Sequence, residues 1–331
     1  MKTEFNKPLV KHMYTADPSV HVFNGKIYIY PSHDLENDGE DDGLGDHFKM
    51  MDYHVFSMED IGAEIVDHGQ VLHLDDVPWA MSKAWDCDCQ YKNGKYYLYF
   101  PAHDKDGIFR TGVAVGDTPI GPFTPQDKPI PGSFSIDYCV FNDDDGTSYF
   151  YTGGLWGGQL EYWRTGAYVP FNGETGLNGP QGDEPALGPK VMIMNEDMLT
   201  YKTEPVEIKI LDEQGEPIKA SDTERRFFEA SWVHKYTNGK YYLSYSTGDT
   251  HFICYAEGDS PMGPFTYKGK VLEPVTGWTN HHSIIEFKGK WYLFYHDCEL
   301  SDGTTHLRNL KYTPLDIAPD GTITTASPYA S

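Results

Sequence analysis

One pattern recurs five times along the chain and restricts its fold more than any other feature. It is a turn followed by an aromatic, alternating run: NGKIYIY (24–30), NGKYYLY (93–99), DGTSYFY (145–151), NGKYYLS (238–244) and KGKWYLF (288–294). Asn-Gly and Asp-Gly supply the positive φ angles of tight hairpin turns, and the alternation after them is that of a half-buried strand. Each copy therefore predicts a β-hairpin. The turn glycines Gly25, Gly94, Gly146, Gly239 and Gly289 are 69, 52, 93 and 50 residues apart, room in each interval for four short strands. A second repeat, GDTPIGPF (116–123) and GDSPMGPF (258–265), follows the second and fourth hairpins at similar offsets and marks loops leading to outer strands.

Four-stranded units repeated at such periods predict an all-β chain folded as a five-bladed β-propeller, with residues 1–331 forming one domain. A two-sheet sandwich would not require five near-copies of one hairpin. The long third interval holds a Gly/Pro-rich stretch (171–190) and two strand-like runs, VMIM (191–194) and VEIKIL (206–211). These read as the outer part of blade III and the entry to blade IV.

Composition limits what such a propeller binds. A net charge of −24 repels nucleic acid and anionic membrane and favours a neutral or cationic small ligand or a metal ion. No apolar run approaches the roughly 18 residues of a bilayer span, and the N-terminal MKTEFNKPLVKHMY has no secretory apolar region. Five cysteines, an odd number without framework spacing, predict reduced thiols and a cytoplasmic setting. No dinucleotide or phosphate-loop fingerprint, HExxH or Ser-His-Asp signature points to an organic cofactor or to competing chemistry. Oligomeric state is left open, with room for a homo-oligomer.

The first strand of a propeller blade runs along the central channel, so the residues ahead of each turn glycine converge on the axis. They are Asp17, Asp86 or Asp88, Asp137, Glu229 and His281, six to ten residues before Gly25, Gly94, Gly146, Gly239 and Gly289. A single Asp before a strand is ordinarily a turn or capping residue, which does not explain a similar offset in all five units. Several carboxyls around one channel cannot all ionise; their pKa values are pushed apart. Such a split pair is the equipment of acid–base chemistry, and in an aromatic-rich pocket it suits hydrolysis of a glycosidic bond.

Four segments, in order and at blade spacing, resemble glycoside hydrolase family 43: ADPSVHVFNGKIYIY (16–30), SIDYCVFNDDDGTSYFYTGG (135–154), FFEASWVHKYTNGKYYLSYSTG (227–248) and NHHSIIEFKGKWYLFYHD (280–297). The resemblance covers essentially the whole chain. It implies Asp17 as the general base that activates water, Glu229 as the general acid, and Asp137 as the residue that orients and tunes Glu229. His281, rather than His282, aligns with the axial His that faces metal or water, and the implied ion is a hydrated divalent cation, Ca²⁺ first. Arg308, in THLRNL, resembles the blade V Arg that holds sugar hydroxyls. In blade II, Trp85 and Asp88 match the family pattern, which implies Asp88 as a substrate-binding residue, while Asp86 is an extra acid near the site. Trp85, Trp156 and Phe228 are candidates to stack on sugar. The C-terminal β-sandwich of larger family xylosidases is not expected here.

The resemblance further implies inversion of the anomeric centre and a small oligosaccharide substrate. The expected activity is that of an exo-acting β-xylosidase releasing terminal xylose, with α-L-arabinofuranosidase activity as the close alternative. Endo-arabinanase and a non-catalytic carbohydrate-binding propeller are the remoter readings. A polar insertion, LENDGEDDGLGDHFKMMDYH (35–54), follows the first hairpin and could wall the pocket, favouring exo action.

Overall fold

The computed structural model describes residues 4–170 and 179–329. It is a five-bladed β-propeller, and among the described residues helix is confined to four short 3₁₀ turns. Blade I comprises β1 (Tyr14–Phe23), β2 (Lys26–Asp34), β3 (Asp52–Met58) and β4 (Val66–His73). Blade II comprises β5 (Asp88–Lys92), β6 (Lys95–His103), β7 (Phe109–Gly116) and β8 (Thr124–Pro125). Blade III comprises β9 (Cys139–Asn142), β10 (Ser148–Thr152), β11 (Lys190–Ile193) and β12 (Val206–Glu207). In blade IV, β13 (Ile210–Leu211) lies parallel to β17 (Phe265–Leu272), outside β16 (Ile253–Gly258), β15 (Tyr241–Ser246) and β14 (Glu229–Lys235). Blade V has three strands, β18 (His282–Phe287), β19 (Lys290–Asp297) and β20 (Asn309–Pro314).

Each repeated heptapeptide forms the predicted hairpin, though by two turn types. Asn24-Gly25, Asn93-Gly94 and Lys288-Gly289 have positive φ at both positions, as a two-residue type I′ turn requires. The Asp145-Gly146 and Asn238-Gly239 turns are longer, closed by Asp143 N–H···O Thr147 backbone pairing and by Tyr236 N–H···O Lys240. The longer turns explain why Asp137 and Glu229 stand further upstream of their glycines than Asp17 does. VMIM lies in the outer part of blade III as expected. VEIKIL is split, however: its first residues form β12, and its last pair forms the outer edge of blade IV rather than its entry. Of the Gly/Pro-rich stretch 171–190, residues 171–178 lie outside the described residues.

The last aromatic of the heptapeptide joins one blade to the next. The hydroxyls of Tyr30, Tyr99 and Tyr151 donate to the carbonyls of Pro119, Met198 and Pro261, at 2.6, 2.9 and 2.7 Å. Each acceptor lies between the third and fourth strands of the following blade. Pro119 and Pro261 are the prolines of GDTPIGPF and GDSPMGPF, so the two sequence repeats are the two halves of one inter-blade joint. These tyrosines are fully buried, and burying their rings without a partner for each hydroxyl would be costly. Ring closure is made by the N-terminal segment. The N–H groups of Asn6 and Leu9 donate to the carbonyls of Tyr312 and Leu310, which gives blade V the outer partner its three strands lack. Inner strands β1, β5, β9, β14 and β18 are mutual neighbours around the axis.

Candidate active site

The residues predicted ahead of each hairpin meet in one place. Asp17, Asp86, Asp137, Glu229 and His281 all line a single pocket at one end of the channel. Irregular backbone aims them. A bulge interrupts the β1–β2 pairing between Ala16 and Ser19, and Asp17 has φ 49°. The β14–β15 pairing shifts between Glu229 and Trp232, with Ala230 at φ 61°. Asp137, just ahead of β9, has φ 62°. Left-handed conformations are costly for residues other than glycine, and bulges turn a strand so that a side chain is re-aimed. Here they direct side chains from three inner strands to the axis.

Asp17 is buried beside a strong cation. Its Oδ1 accepts from Arg308 Nη1 at 2.9 Å and its Oδ2 from the Ser32 hydroxyl at 2.7 Å. Its backbone N–H donates to His296 Nδ1 at 3.0 Å. Burial alone would raise the carboxyl pKa, but the charges of Arg308, His281 and His296 and the Ser32 hydrogen bond outweigh it and bring it down to about 2. Asp17 is therefore ionised throughout the neutral range.

The opposite side of the site is a crowd of acids. Asp86 accepts the N–H groups of Asp137 and Tyr138 at 2.8 and 3.0 Å, and Asp137 Oδ2 accepts the Ala230 N–H at 2.8 Å. Burial, followed by the charges of Asp86 and Glu229, raises Asp137 well above the ordinary carboxylate range. Burial likewise raises Asp86, to about 7, against the opposing pull of His281. Near neutral pH this group of acids holds at least one proton while Asp17 holds none.

His281 stands between the two sides. Its Nδ1 lies 3.3 Å from Asp17 Oδ1, and its Nε2 lies 3.3 Å from Glu229 Oε1 and 3.7 Å from Asp137 Oδ2. With one imidazole between them, the Asp17 and Glu229 oxygens are at most about 9 Å apart, a limit that does not exceed the roughly 6.5–9.5 Å used by inverting glycosidases. His282 points elsewhere, its Nε2 2.5 Å from the Ser244 hydroxyl.

Ligand atoms of Asp86, Asp137 and His281 lie within 4.8 Å of one another, so the structure sets two carboxylates beside the His expected from the sequence. Asp137 Oδ1 and Glu229 Oε1 are buried without a protein hydrogen-bond partner. Hard oxygen donors with one imidazole fit a hydrated divalent ion.

The walls are aromatic. Trp85, Trp156 and Phe228 all line the pocket, as does Trp278, which the repeat did not reveal. Phe228 packs edge-on against both Trp156 and Trp278, with ring centroids 5.0 and 5.4 Å apart. Trp156 has φ 53°, and its N–H is held by the Glu161 carboxylate at 2.8 Å. The 35–54 insertion does wall the pocket, through Asp41, Gly45, His47, Phe48 and Met50. Gly45, at φ 76°, packs so closely on Trp85 that a Cβ there would lie 2.8 Å from its ring.

Two sequence expectations need correction. Asp88 is not among the lining residues. It is a fully buried tie between blades, accepting from the Ser19 hydroxyl and His21 Nε2 at 2.6 Å each and from the Val140 N–H at 2.5 Å. Asp86, the extra acid, is the blade II residue at the site. Arg308 does line the pocket, but every donor it has is engaged. Nε and Nη2 hold Asp34 at 2.9 and 2.7 Å, and Nη1 reaches Asp17 and Thr279. The remaining Nη2 hydrogen faces Met50 Sδ at 3.8 Å. In this arrangement Arg308 holds Asp17 and Asp34 and keeps no free donor for a sugar hydroxyl. Asp34 and His296 were invisible to the hairpin offset because they lie after the turn, at the far ends of β2 and β19.

Comparison with known proteins agrees with this geometry. The sequence profile of Glycosyl hydrolases family 43 matches residues 5–323. A "Xylosidase/arabinosidase" of Bacteroides ovatus is 56% identical over 326 residues, covering 98% of each chain. A solved β-xylosidase/α-arabinofuranosidase of this family from a compost microbial metagenome, complexed with xylotriose in a calcium-free form, superposes with a TM-score of 0.97 at 58% identity, covering 100% of this chain and 99% of that one. A Xanthomonas citri family 43 enzyme complexed with xylotriose superposes with a TM-score of 0.91 at 56% identity, covering 98% and 94%.

Proposed function

The chain belongs to glycosyl hydrolase family 43, and from that premise we propose that it is an inverting exo-glycosidase that releases terminal xylose from xylo-oligosaccharides and also accepts α-L-arabinofuranosides. The observation that carries this reading is the split acid–base pair across His281: an Asp17 carboxylate held ionised by Arg308, facing a group of acids that retains a proton. Asp17 takes a proton from water as the water attacks the anomeric carbon. Glu229 gives a proton to the departing glycosidic oxygen on the other side of the ring. Asp137, bonded to the N–H next after Glu229, fixes that strand and orients the acid. The insertion that walls the pocket favours recognition of a chain end over passage of a long polymer. The names of the relatives, xylosidase and arabinosidase together, support the dual preference.

The test is a panel of aryl β-D-xylosides and aryl α-L-arabinofuranosides with measured kcat/KM, alongside linear arabinan with product sizing. Both aryl glycosides are expected to be cleaved, the xyloside with the higher kcat/KM, with monomer as the product from any polymer. Oligomers from arabinan would show endo action, and absence of turnover would leave only a binding protein.

Asp86, Asp137 and His281 are the residues that would hold a divalent ion. Its contribution would be fixed positive charge beneath the site, favouring ionised oxygens there. The relative solved in a calcium-free form supports Ca²⁺ as the ion to try first. His281 makes a specific prediction. Burial lowers its pKa, but Asp17 and Glu229 outweigh this and raise it to about 9. The free imidazole is thus protonated at neutral pH, and a metal must displace that proton. Apparent Ca²⁺ affinity is expected to rise at least about tenfold per pH unit below pH 9, since the protonated acid beside His281 must release its proton as well. Calorimetric titration at pH 6, 7 and 8 checks this. An affinity flat with pH would remove His281 as a ligand.

A further inference from the structure

Blade I carries a second cluster of ligating side chains, on the face of β2 opposite Asp34. His33 is the last residue but one of β2, while Asp52 and His54 stand two apart on β3 and so share a face. His33 Nδ1 lies 2.7 Å from Asp52 Oδ1, and His54 Nε2 lies 3.6 Å from Asp52 Oδ2. One ligand atom from each residue falls within 4.8 Å of the other two. All three are largely buried, with side chains 19%, 10% and 16% exposed. We propose that His33, Asp52 and His54 form a metal site separate from the axial one, taking a first-row transition ion of the zinc class.

Three features support this. Two imidazoles and one carboxylate form the mixed nitrogen and oxygen donor set that suits Zn²⁺ and its neighbours, whereas Ca²⁺ takes oxygen ligands. The rings meet at 70°, with centroids 5.3 Å apart, so they approach a shared point from different directions. Ligands on a tetrahedral ion at about 2.0–2.1 Å stand roughly 3.3 Å from one another, so small side-chain adjustments bring the three atoms into range. The third feature is the surrounding shell. The other ring nitrogen of His54, Nδ1, is buried, makes no hydrogen bond and lies 3.6 Å from Asp67 Oδ1. Asp67 is itself held by the Gly69 N–H at 2.7 Å and His12 Nε2 at 2.8 Å. A carboxylate behind the non-ligating nitrogen is the usual support of a metal-binding His. Binding replaces the His33 Nδ1···Asp52 hydrogen bond, and the neutral ring then carries its N–H on Nε2. The bound ion staples β2 to β3 and, through Asp67, to β4.

The competing reading is an ion-free chain of His–Asp pairs, which takes up no metal. The untagged, chelator-treated protein is titrated calorimetrically with Zn²⁺ as wild type, as His281→Ala, and as His281→Ala with His33→Gln and His54→Gln added. The His281→Ala protein is expected to keep a Zn²⁺ site that the triple variant loses, with a thermal midpoint raised by Zn²⁺ only in the former. Asp67→Asn, at a partly exposed position, guards against misfolding and is expected to weaken Zn²⁺ binding at this site about 10–100-fold. Zn²⁺ uptake by His281→Ala that is absent, or that survives unchanged in the triple variant, overturns the proposal. So does an Asp67→Asn protein with unchanged affinity.

Discussion

Glu229→Ala is expected to lower kcat on xylobiose by about 10²–10⁴-fold while leaving an aryl xyloside with an activated leaving group close to its original rate. The reason is the proton. A sugar leaving group departs as an alkoxide unless an acid protonates it, whereas a nitrophenolate departs unaided. The side chain occupies the right place for that transfer. Glu229 begins β14, is buried, and has an Oε1 without a hydrogen-bond partner facing the pocket. The bulge that follows it and the positive φ of Ala230 hold that direction. Removal should not unfold the blade, because β14 keeps its pairing with β15 from Trp232 to Lys235. Equal losses on both substrates would mean that Glu229 positions the sugar rather than protonates it. Full activity on xylobiose would move the acid to Asp137 or Asp86, two carboxyls of this site that burial raises.

The fold was legible because its joints are written as repeats. Asn-Gly turns and alternating aromatics define hairpins locally, and the Tyr that ends three of the heptapeptides needs a carbonyl in the next blade. The ring of acids was legible for the same reason: a similar offset from a turn becomes a similar height along the channel. What escaped had no such local rule. Asp34 and His296 act on Asp17 from strand ends that are neighbours only after the ring closes. Trp278 enters from the connection between blades IV and V. Arg308 was found by its motif, but its partners depend on where Asp34 falls, which no offset gives. The choice between Asp86 and Asp88 was undecidable because residues two apart would share a face of an extended strand, whereas β5 begins only at Asp88. Only the neighbouring blades show that Asp88 is enclosed by Ser19, His21 and Val140.

Asp17→Asn is expected to abolish turnover of both xylobiose and the aryl xyloside, by about 10²–10⁴-fold or more, because water must be activated whatever the leaving group. The contrast with Glu229→Ala is what separates base from acid. The pH profile adds a second check. A base works only when ionised, so activity falls as pH drops through its pKa. With Asp17 held near 2, the wild-type kcat/KM should show no acid limb from this group across the range in which the protein is ordinarily assayed. Arg308 is the largest charge holding it there, and burial pulls the other way. Replacing Arg308 alone would leave Asp17 and Asp34 as buried, uncompensated carboxylates, a change that costs about 3–5 kcal/mol when a buried pair is broken. The pairing of Arg308→Gln with Asp34→Asn avoids half of that cost. In this double variant the acid limb should move upward into the measurable range, with activity on the aryl xyloside retained on the alkaline side of it. A limb that stays out of range would show that His281, His296 and Ser32 suffice to keep Asp17 ionised. A profile without any limb change in Asp17→Asn, at wild-type rate, would remove Asp17 as the base altogether.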